Sequence, residues 1–334
     1  MSLSKAVSRD IPTTNKTILC GAYLAFQVRS ANYVKGQIHM TIFEAIIQGL
    51  IQGLTEFLPV SSSGHLSLFQ HFTGVTGDEA VITTIALHIG TLIAVFIAFR
   101  RKIAVLINEA FRMLGDIFSG KFSLKEMNGS RRMIMMIIVS ILPLFIFYIF
   151  RDFFTSVQSD NDIAAEGICF LYTSALLFIG DRCSKRNNEK GNAKSAEETN
   201  VYDALFIGFF QGVALLPGVS RSGSTISAGL ISGQKREDAV EYSFILGIPV
   251  ILAGALSEFL DMGDTVAASI EAVPLAIGMA VAAVSGYFAI ALIKWLMKSD
   301  RFGIFAVYTL ILGIAVTGIG AYEHITGNYI SQML

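Results

Sequence analysis

The chain has 334 residues, 53% of them hydrophobic and only 15% charged, with a net charge of −1 and a mean hydropathy of +0.60. Soluble domains carry about 25% charged residues, so this balance excludes an ordinary soluble domain, and the near-zero charge argues against a nucleic-acid partner. The three cysteines, Cys20, Cys169 and Cys183, show no metal-ligand spacing and read as structural thiols.

Residues 1–39 come first and stand apart. Their one apolar stretch, Ile18 to Val28, is too short to span a bilayer, and no convincing cleavage site follows it. Met40 is expected to be the natural start, or 1–39 a dispensable extension. Residues 41–77 carry only Glu44 and Glu56 as charges, yet Pro59 and Ser61-Ser62-Ser63-Gly64 break the middle. That pattern predicts a helix, a polar turn and a second helix. Uncharged runs at 80–99 and 133–150 are each long enough to cross roughly 30 Å of hydrocarbon. A third span is expected at 163–180, with Glu166 near its edge. Residues 204–234 repeat the broken pattern around Pro217, Gly218 and Ser220-Arg221-Ser222-Gly223, and spans follow at 240–260, 272–293 and 302–322. Backbone that is not helical at membrane depth must be buried in protein or line a wet cavity, so both broken segments read as re-entrant hairpins.

The hairpins are copies of each other. A shift of 159 residues places Gln52-Gly53 on Gln211-Gly212, Val60-Ser61 on Val219-Ser220 and Ser63-Gly64 on Ser222-Gly223. Over residues 43–89, 13 of 47 positions are identical, against roughly three expected by chance. Each copy is followed by three spans, so the fold expected is an all-α integral membrane protein of two repeats, each one re-entrant hairpin plus three transmembrane helices. Basic residues cluster in 100–132, in 182–194 and at Lys294, Lys298 and Arg301, while 152–162, 261–271 and 323–334 contain no Lys or Arg. The positive-inside rule makes the basic segments cytoplasmic. The two copies are then inverted, a plan whose site lies where the repeats meet.

The polar turns carry the chemistry. The first offers Gln52, Glu56, Ser61, Ser62, Ser63 and His65; the second offers Ser220, Arg221, Ser222, Gly223, Ser224 and Thr225. Where they align, Ser62 has become Arg221 and His65 has become Ser224. A guanidinium, hydroxyls and backbone N–H groups ahead of a helix suit phosphate. A carboxylate, hydroxyls and an imidazole suit attack on phosphorus. Ionisable groups inside a membrane are functional by default, which singles out Glu56 and Arg221; the bland alternative is a Glu–Arg pair that locks the hairpins together. His71 and His88 read as packing or interface residues. Glu44, Gln48, Gln52 and Glu56 recur every four residues as a polar stripe expected to line a wet cavity. Gly49, Gly53, Gly208 and Gly212 read as close-packing sites.

The run Gly53-Leu54-Thr55-Glu56-Phe57-Leu58-Pro59-Val60-Ser61-Ser62-Ser63-Gly64-His65 resembles the first signature of the bacterial undecaprenyl-diphosphatase family linked to bacitracin resistance. Pro217-Gly218-Val219-Ser220-Arg221-Ser222-Gly223-Ser224-Thr225 resembles the second, and the likeness covers about residues 40 to 322. It implies removal of the terminal phosphate of undecaprenyl diphosphate, which recycles the lipid carrier for cell-wall synthesis. It also implies a multi-pass protein of the bacterial inner membrane, a site open to the outer face, and a divalent cation, Mg²⁺ or Ca²⁺. By motif position it makes Glu56, Ser62, His65, Ser220 and Arg221 functional; many members have Glu where Gln52 stands, which removes one carboxylate from any metal site.

The mechanism expected is in-line attack by Ser62, with His65 as proton-transfer partner and Arg221, Ser220, Ser222 and Gly223 holding phosphate oxygens. Gln52 joins the substrate-binding set, and Glu56 either orients His65 or binds the cation. Direct attack by water remains open, as does assembly into a homo-oligomer. The expected division is 1–39 extension, 40–181 first repeat, 182–200 cytoplasmic linker, 201–322 second repeat and 323–334 external tail. The partners expected are the bilayer and a polyprenyl diphosphate lipid. The rival readings are a lipid-phosphate transporter or flippase of the same fold, and a non-catalytic membrane scaffold.

Overall fold

The computed structural model describes residues 40–73, 78–123, 127–150, 163–261 and 272–327. The expected extension 1–39, the loops 152–162 and 262–271 and the end of the tail lie outside these residues. Eleven α-helices make up the described chain, with one short 3₁₀ turn at Ala196–Glu198.

Helix α1, Ile42–Phe57, starts where Thr41 and Glu44 form a reciprocal capping box and stops at extended Leu58, immediately before Pro59. Glu44, first of the polar stripe, is thus a capping residue; Gln48, Gln52 and Glu56 are buried. After the turn comes α2, Ser62–Thr73. The second broken segment behaves alike: α7, Val201–Val213, opens on an Asn200–Asp203 capping box, and α8, Arg221–Ile231, opens on Ser220. Both helix–turn–helix units were legible from the placement of Pro and Gly.

Six helices are long and apolar enough to cross a membrane: α3 (Asp78–Ala98), α5 (Gly129–Tyr148), α6 (Ala164–Glu189), α9 (Arg236–Asp261), α10 (Ala272–Lys298) and α11 (Gly303–Thr326). The protein is an all-α, multi-pass membrane protein. Two boundaries differ from the expectation. Helix α6 continues through the basic residues Arg182, Lys185 and Arg186, because no Gly or Pro stops it until Gly191 takes a positive φ. Helix α11 runs into the expected tail, where Glu323 is buried against His71. A further helix, α4 (Arg100–Phe118), occupies most of the first basic segment.

Packing between the halves is reciprocal. Gly49 and Gly53 of α1 let it lie against the backbone of α10, where a Cβ on Gly49 would come within 2.6 Å of the Gly278 carbonyl. Gly208 and Gly212 of α7 do the same against Ser140 and Phe147 of α5. Each seam carries one serine bond to backbone: Ser285 Oγ donates to the Gly49 carbonyl at 3.3 Å, and Ser140 Oγ to the Ala204 carbonyl at 2.9 Å. Small residues and serine bonds of this kind substitute in lipid for the missing hydrophobic drive. The first helix of each broken unit therefore rests on a span from the other half of the chain. One core cluster lies behind the turns and includes Phe57, Val60, Phe99, Phe244, Ile290 and Phe302. Phe57 meets Phe244 edge-on at 5.2 Å between ring centroids.

Candidate active site

The two turns are built alike. Ser61 Oγ accepts from the Gly64 amide at 3.2 Å and lies 3.3 Å from Ser63 Oγ. In the second turn Ser220 Oγ accepts from the Gly223 amide at 3.0 Å and lies 3.3 Å from Ser222 Oγ. The shared Ser-x-Ser-Gly is thus a cap that starts a helix at a fixed point. The variable residue within it, Ser62 in one copy and Arg221 in the other, becomes the first helical residue. The caps differ in backbone: Ser61 has φ +71°, in the left-handed region, and Ser220 has φ −69°.

The tips touch. Ser222 Oγ donates to the Leu58 carbonyl at 3.3 Å, a Cβ on Gly64 would stand 2.9 Å from the Gly218 Cα, and one on Gly223 would stand 3.3 Å from the Pro59 carbonyl. Glycine at these points brings backbone to backbone. Gly218, at φ +85°, also needs the conformational freedom. Two helix N-termini, each the positive end of a dipole, therefore stand beside one another.

Glu56 lies between them. Its Oε1 accepts from Arg221 Nη2 at 2.5 Å. Its Oε2 accepts from Ser62 Oγ at 2.6 Å and from Gln52 Nε2 at 2.9 Å. Arg221 Nη1 is buried and has no hydrogen-bond partner among the described residues. A guanidinium nitrogen left unpaired in this way keeps N–H donors for one more anionic oxygen.

Of the residues singled out in the sequence, Gln52, Glu56, Ser62 and Arg221 form one bonded cluster, in which Glu56 and Arg221 are 165 residues apart in the chain. Ser220, Ser222 and Gly223 form the turn that carries Arg221, with the Ser220 amide donating to Thr173 Oγ1 at 3.1 Å. His65 is placed differently from the expectation. Its Nδ1 lies 2.7 Å from the Ser61 carbonyl, which can only accept, so Nδ1 bears the proton. Its Nε2 lies 2.7 Å from the Tyr308 hydroxyl, and the two rings stack. The Ser62 hydroxyl is bonded to Glu56 and not to His65, and Glu56 makes no bond to His65. Two neighbours were not anticipated as site residues. Tyr308 lies in an otherwise unmarked apolar span. His88, read as a packing residue, has Nε2 3.8 Å from Glu56 Oε2.

The cluster gives a divalent cation one carboxylate, and Arg221, Ser62 and Gln52 already occupy it. Among the described residues no group of three or more His, Cys, Asp and Glu side chains could hold a metal ion. The donor set does not fit a cation held by the protein alone.

The model of the family described as "Bacitracin resistance protein BacA" matches residues 45–315, which include every residue of the cluster. The chain belongs to this family. Among the curated relatives of this BacA-type chain, the undecaprenyl-diphosphatase of Alkaliphilus metalliredigens is 38% identical over 278 residues, covering 83% of this chain and 98% of the relative. That of Halothermothrix orenii is also 38% identical over 278 residues, with 83% and 97% covered. The Bacteroides fragilis protein is 35% identical over 277 residues, with 82% and 97% covered. The matched region leaves out residues 1–39.

Proposed function

We propose that the chain hydrolyses undecaprenyl diphosphate to undecaprenyl phosphate and inorganic phosphate, and in doing so recycles the lipid carrier and confers bacitracin resistance. Family membership and the shared name of the relatives support the reaction. The observation that carries the chemistry is the Glu56 carboxylate, which accepts the Ser62 hydroxyl on one oxygen and Arg221 on the other.

In this reading Ser62 Oγ attacks the terminal phosphorus and its proton passes to Glu56 Oε2. A Ser62 O–P bond forms. The bond from phosphorus to the bridging oxygen breaks, and its electron pair leaves on undecaprenyl phosphate. Water then attacks the phosphoserine phosphorus, the Ser62 O–P bond breaks, Glu56 returns its proton to Ser62 Oγ, and inorganic phosphate leaves as the water's second proton passes to solvent. Arg221 Nη1 takes an equatorial oxygen without giving up the Nη2 bond to Glu56, and the α2 and α8 N-termini favour the charge gathered between them. Glu56 replaces His65 as the proton acceptor for Ser62. Were a divalent cation to take part, Glu56 would supply at most one ligand, and the cation would neutralise charge on the diphosphate.

The two halves, 40–181 and 201–322, are inverted repeats in a bacterial inner membrane, with the site open to the outer face. The reciprocal glycine seams and the twin Ser-x-Ser-Gly caps support this arrangement. The test is phosphate release from undecaprenyl diphosphate by purified protein in detergent, with and without EDTA. Release in detergent, where no second compartment exists, separates hydrolysis from pure transport. The expected result is release that EDTA suppresses and added Mg²⁺ or Ca²⁺ restores. Absence of release would overturn the function; release indifferent to EDTA would overturn the cation.

A further inference from the structure

The imidazole nearest the reacting groups is not the one in the signature motif. His65 is turned away to Ser61 and Tyr308. His88, on α3, points its ring at Glu56 from the side opposite Arg221's bond: Nε2 is 3.8 Å from Oε2, the oxygen that Ser62 and Gln52 also address. The ring is anchored. Nδ1 lies 2.8 Å from the Thr84 carbonyl, one turn earlier in the same helix, so Nδ1–H is committed to that bond and only the Nε2 edge is left for Glu56. The side chain is 27% exposed, so it is not sealed in the core.

The repeat provides a second, independent observation. The 159-residue shift that superposes the turns places His88 on Gly247. A Cβ on Gly247 would collide with the Arg221 guanidinium, at Nη1. The two aligned positions, one on α3 and one on α9, thus both face the charged centre. In the first copy the position carries an imidazole directed at Glu56. In the second it is stripped to hydrogen, and the guanidinium fills the space.

We propose that His88 is a positioning residue of the site, acting through Glu56. This rests on the reading of Glu56 as the proton acceptor for Ser62. With Nε2 protonated, His88 donates to Oε2 and holds the carboxylate with that oxygen toward Ser62, and it keeps that proton while the carboxyl takes the one from serine. A glutamine amide can make the same donation through its NH₂. An aliphatic side chain of similar size can make none.

The experiment measures phosphate release in detergent for wild type, His88→Leu and His88→Gln, together with undecaprenyl diphosphate binding and thermal unfolding of each. A mispositioned base costs roughly a hundredfold, so kcat of His88→Leu should fall by about that factor. KM, lipid binding and the unfolding temperature should stay near the wild-type values. His88→Gln should recover kcat to within about tenfold of wild type, which a volume-filling role would not require. Wild-type kcat in His88→Leu overturns the proposal, as does a kcat for His88→Gln no better than that of His88→Leu. If His88→Leu unfolds early, the ratio of His88→Gln to wild type alone decides, and a loss of about a hundredfold there overturns the proposal. A wild type without phosphatase activity sinks the functional reading itself, a result distinct from either of these.

Discussion

At the scale of single residues, Glu56 and Arg221 are buried charges that the membrane interior tolerates only as a pair. Removing one partner of such a pair costs on the order of 3–5 kcal/mol, because the other charge is left uncompensated. Arg221→Lys is expected to be nearly as damaging as Arg221→Ala. An ammonium is a point donor and cannot bond Glu56 while presenting a second, fixed edge to phosphate; phosphate release by both variants checks this. Ser62→Ala should abolish turnover and leave lipid affinity largely intact, since the loss falls on the chemical step. Ser63→Ala should be mild, because Ser63 is exposed and its hydroxyl only approaches Ser61. Near-normal turnover in Ser62→Ala would instead make water, activated by Glu56, the nucleophile. The cluster itself was legible in the sequence because its members are polar or ionisable residues in two otherwise apolar, broken segments that share one motif. The partner of the Ser62 hydroxyl was not legible. Motif order places His65 three residues from Ser62 and Glu56 six, and only the left-handed turn at Ser61 brings Glu56 to the hydroxyl and carries His65 away.

At the scale of elements, the spans and the two broken units follow from composition and from Pro and Gly placement, whereas α4 was hidden by its charges. Its sequence alternates Arg, Lys, Glu and Asp with apolar residues, which loop-charge counting reads as a cytoplasmic connection. The helical period is nevertheless present: Ile103, Leu106, Glu109 and Met113 are buried on one face. Arg131, at the start of α5, ties this helix down with bonds of 2.6 Å to Glu109 and 2.7 Å to Asp116. The Arg131 hydrogen bond holds the Glu109 carboxyl below its usual range. A carboxyl with a lowered pKa contributes stability above its ordinary value and loses it as pH falls through the lowered one, so this tether is intact at neutral pH and weakens only in acid. Arg131→Ala is expected to free α4, which a thiol reagent would detect as faster labelling of a cysteine placed at Met113. Unchanged labelling would mean that apolar packing alone seats the helix.

At the scale of the whole molecule, the proposed inversion makes a direct statement about sidedness. A reporter fused in 182–200 should read cytoplasmic and one in 152–162 external; the same reading at both would sink the inverted arrangement. The glycine seams make a second statement. A side chain on Gly53 would run into Ser285 and the α10 backbone, so Gly53→Leu should lower the unfolding temperature in detergent, at the typical overpacking cost of about 1–3 kcal/mol. The number of spans could be read from hydropathy. The exchange of partners between halves could not, because glycine spacing says that something packs closely without saying what. That exchange, together with the capped turns, bears on origins. If one ancestral half once paired with an identical copy, the two turns would have carried the same residue at every aligned position, and neither could take a role its partner lacked. Duplication into a single chain lifts that restriction, since each half can then change without the other. The Ser62–Arg221, Glu56–Leu215 and His88–Gly247 pairs mark positions where the copies have parted. On the proposed reading the nucleophile and both charges lie at those differences, and the matching Ser-x-Ser-Gly caps start the two helices alike.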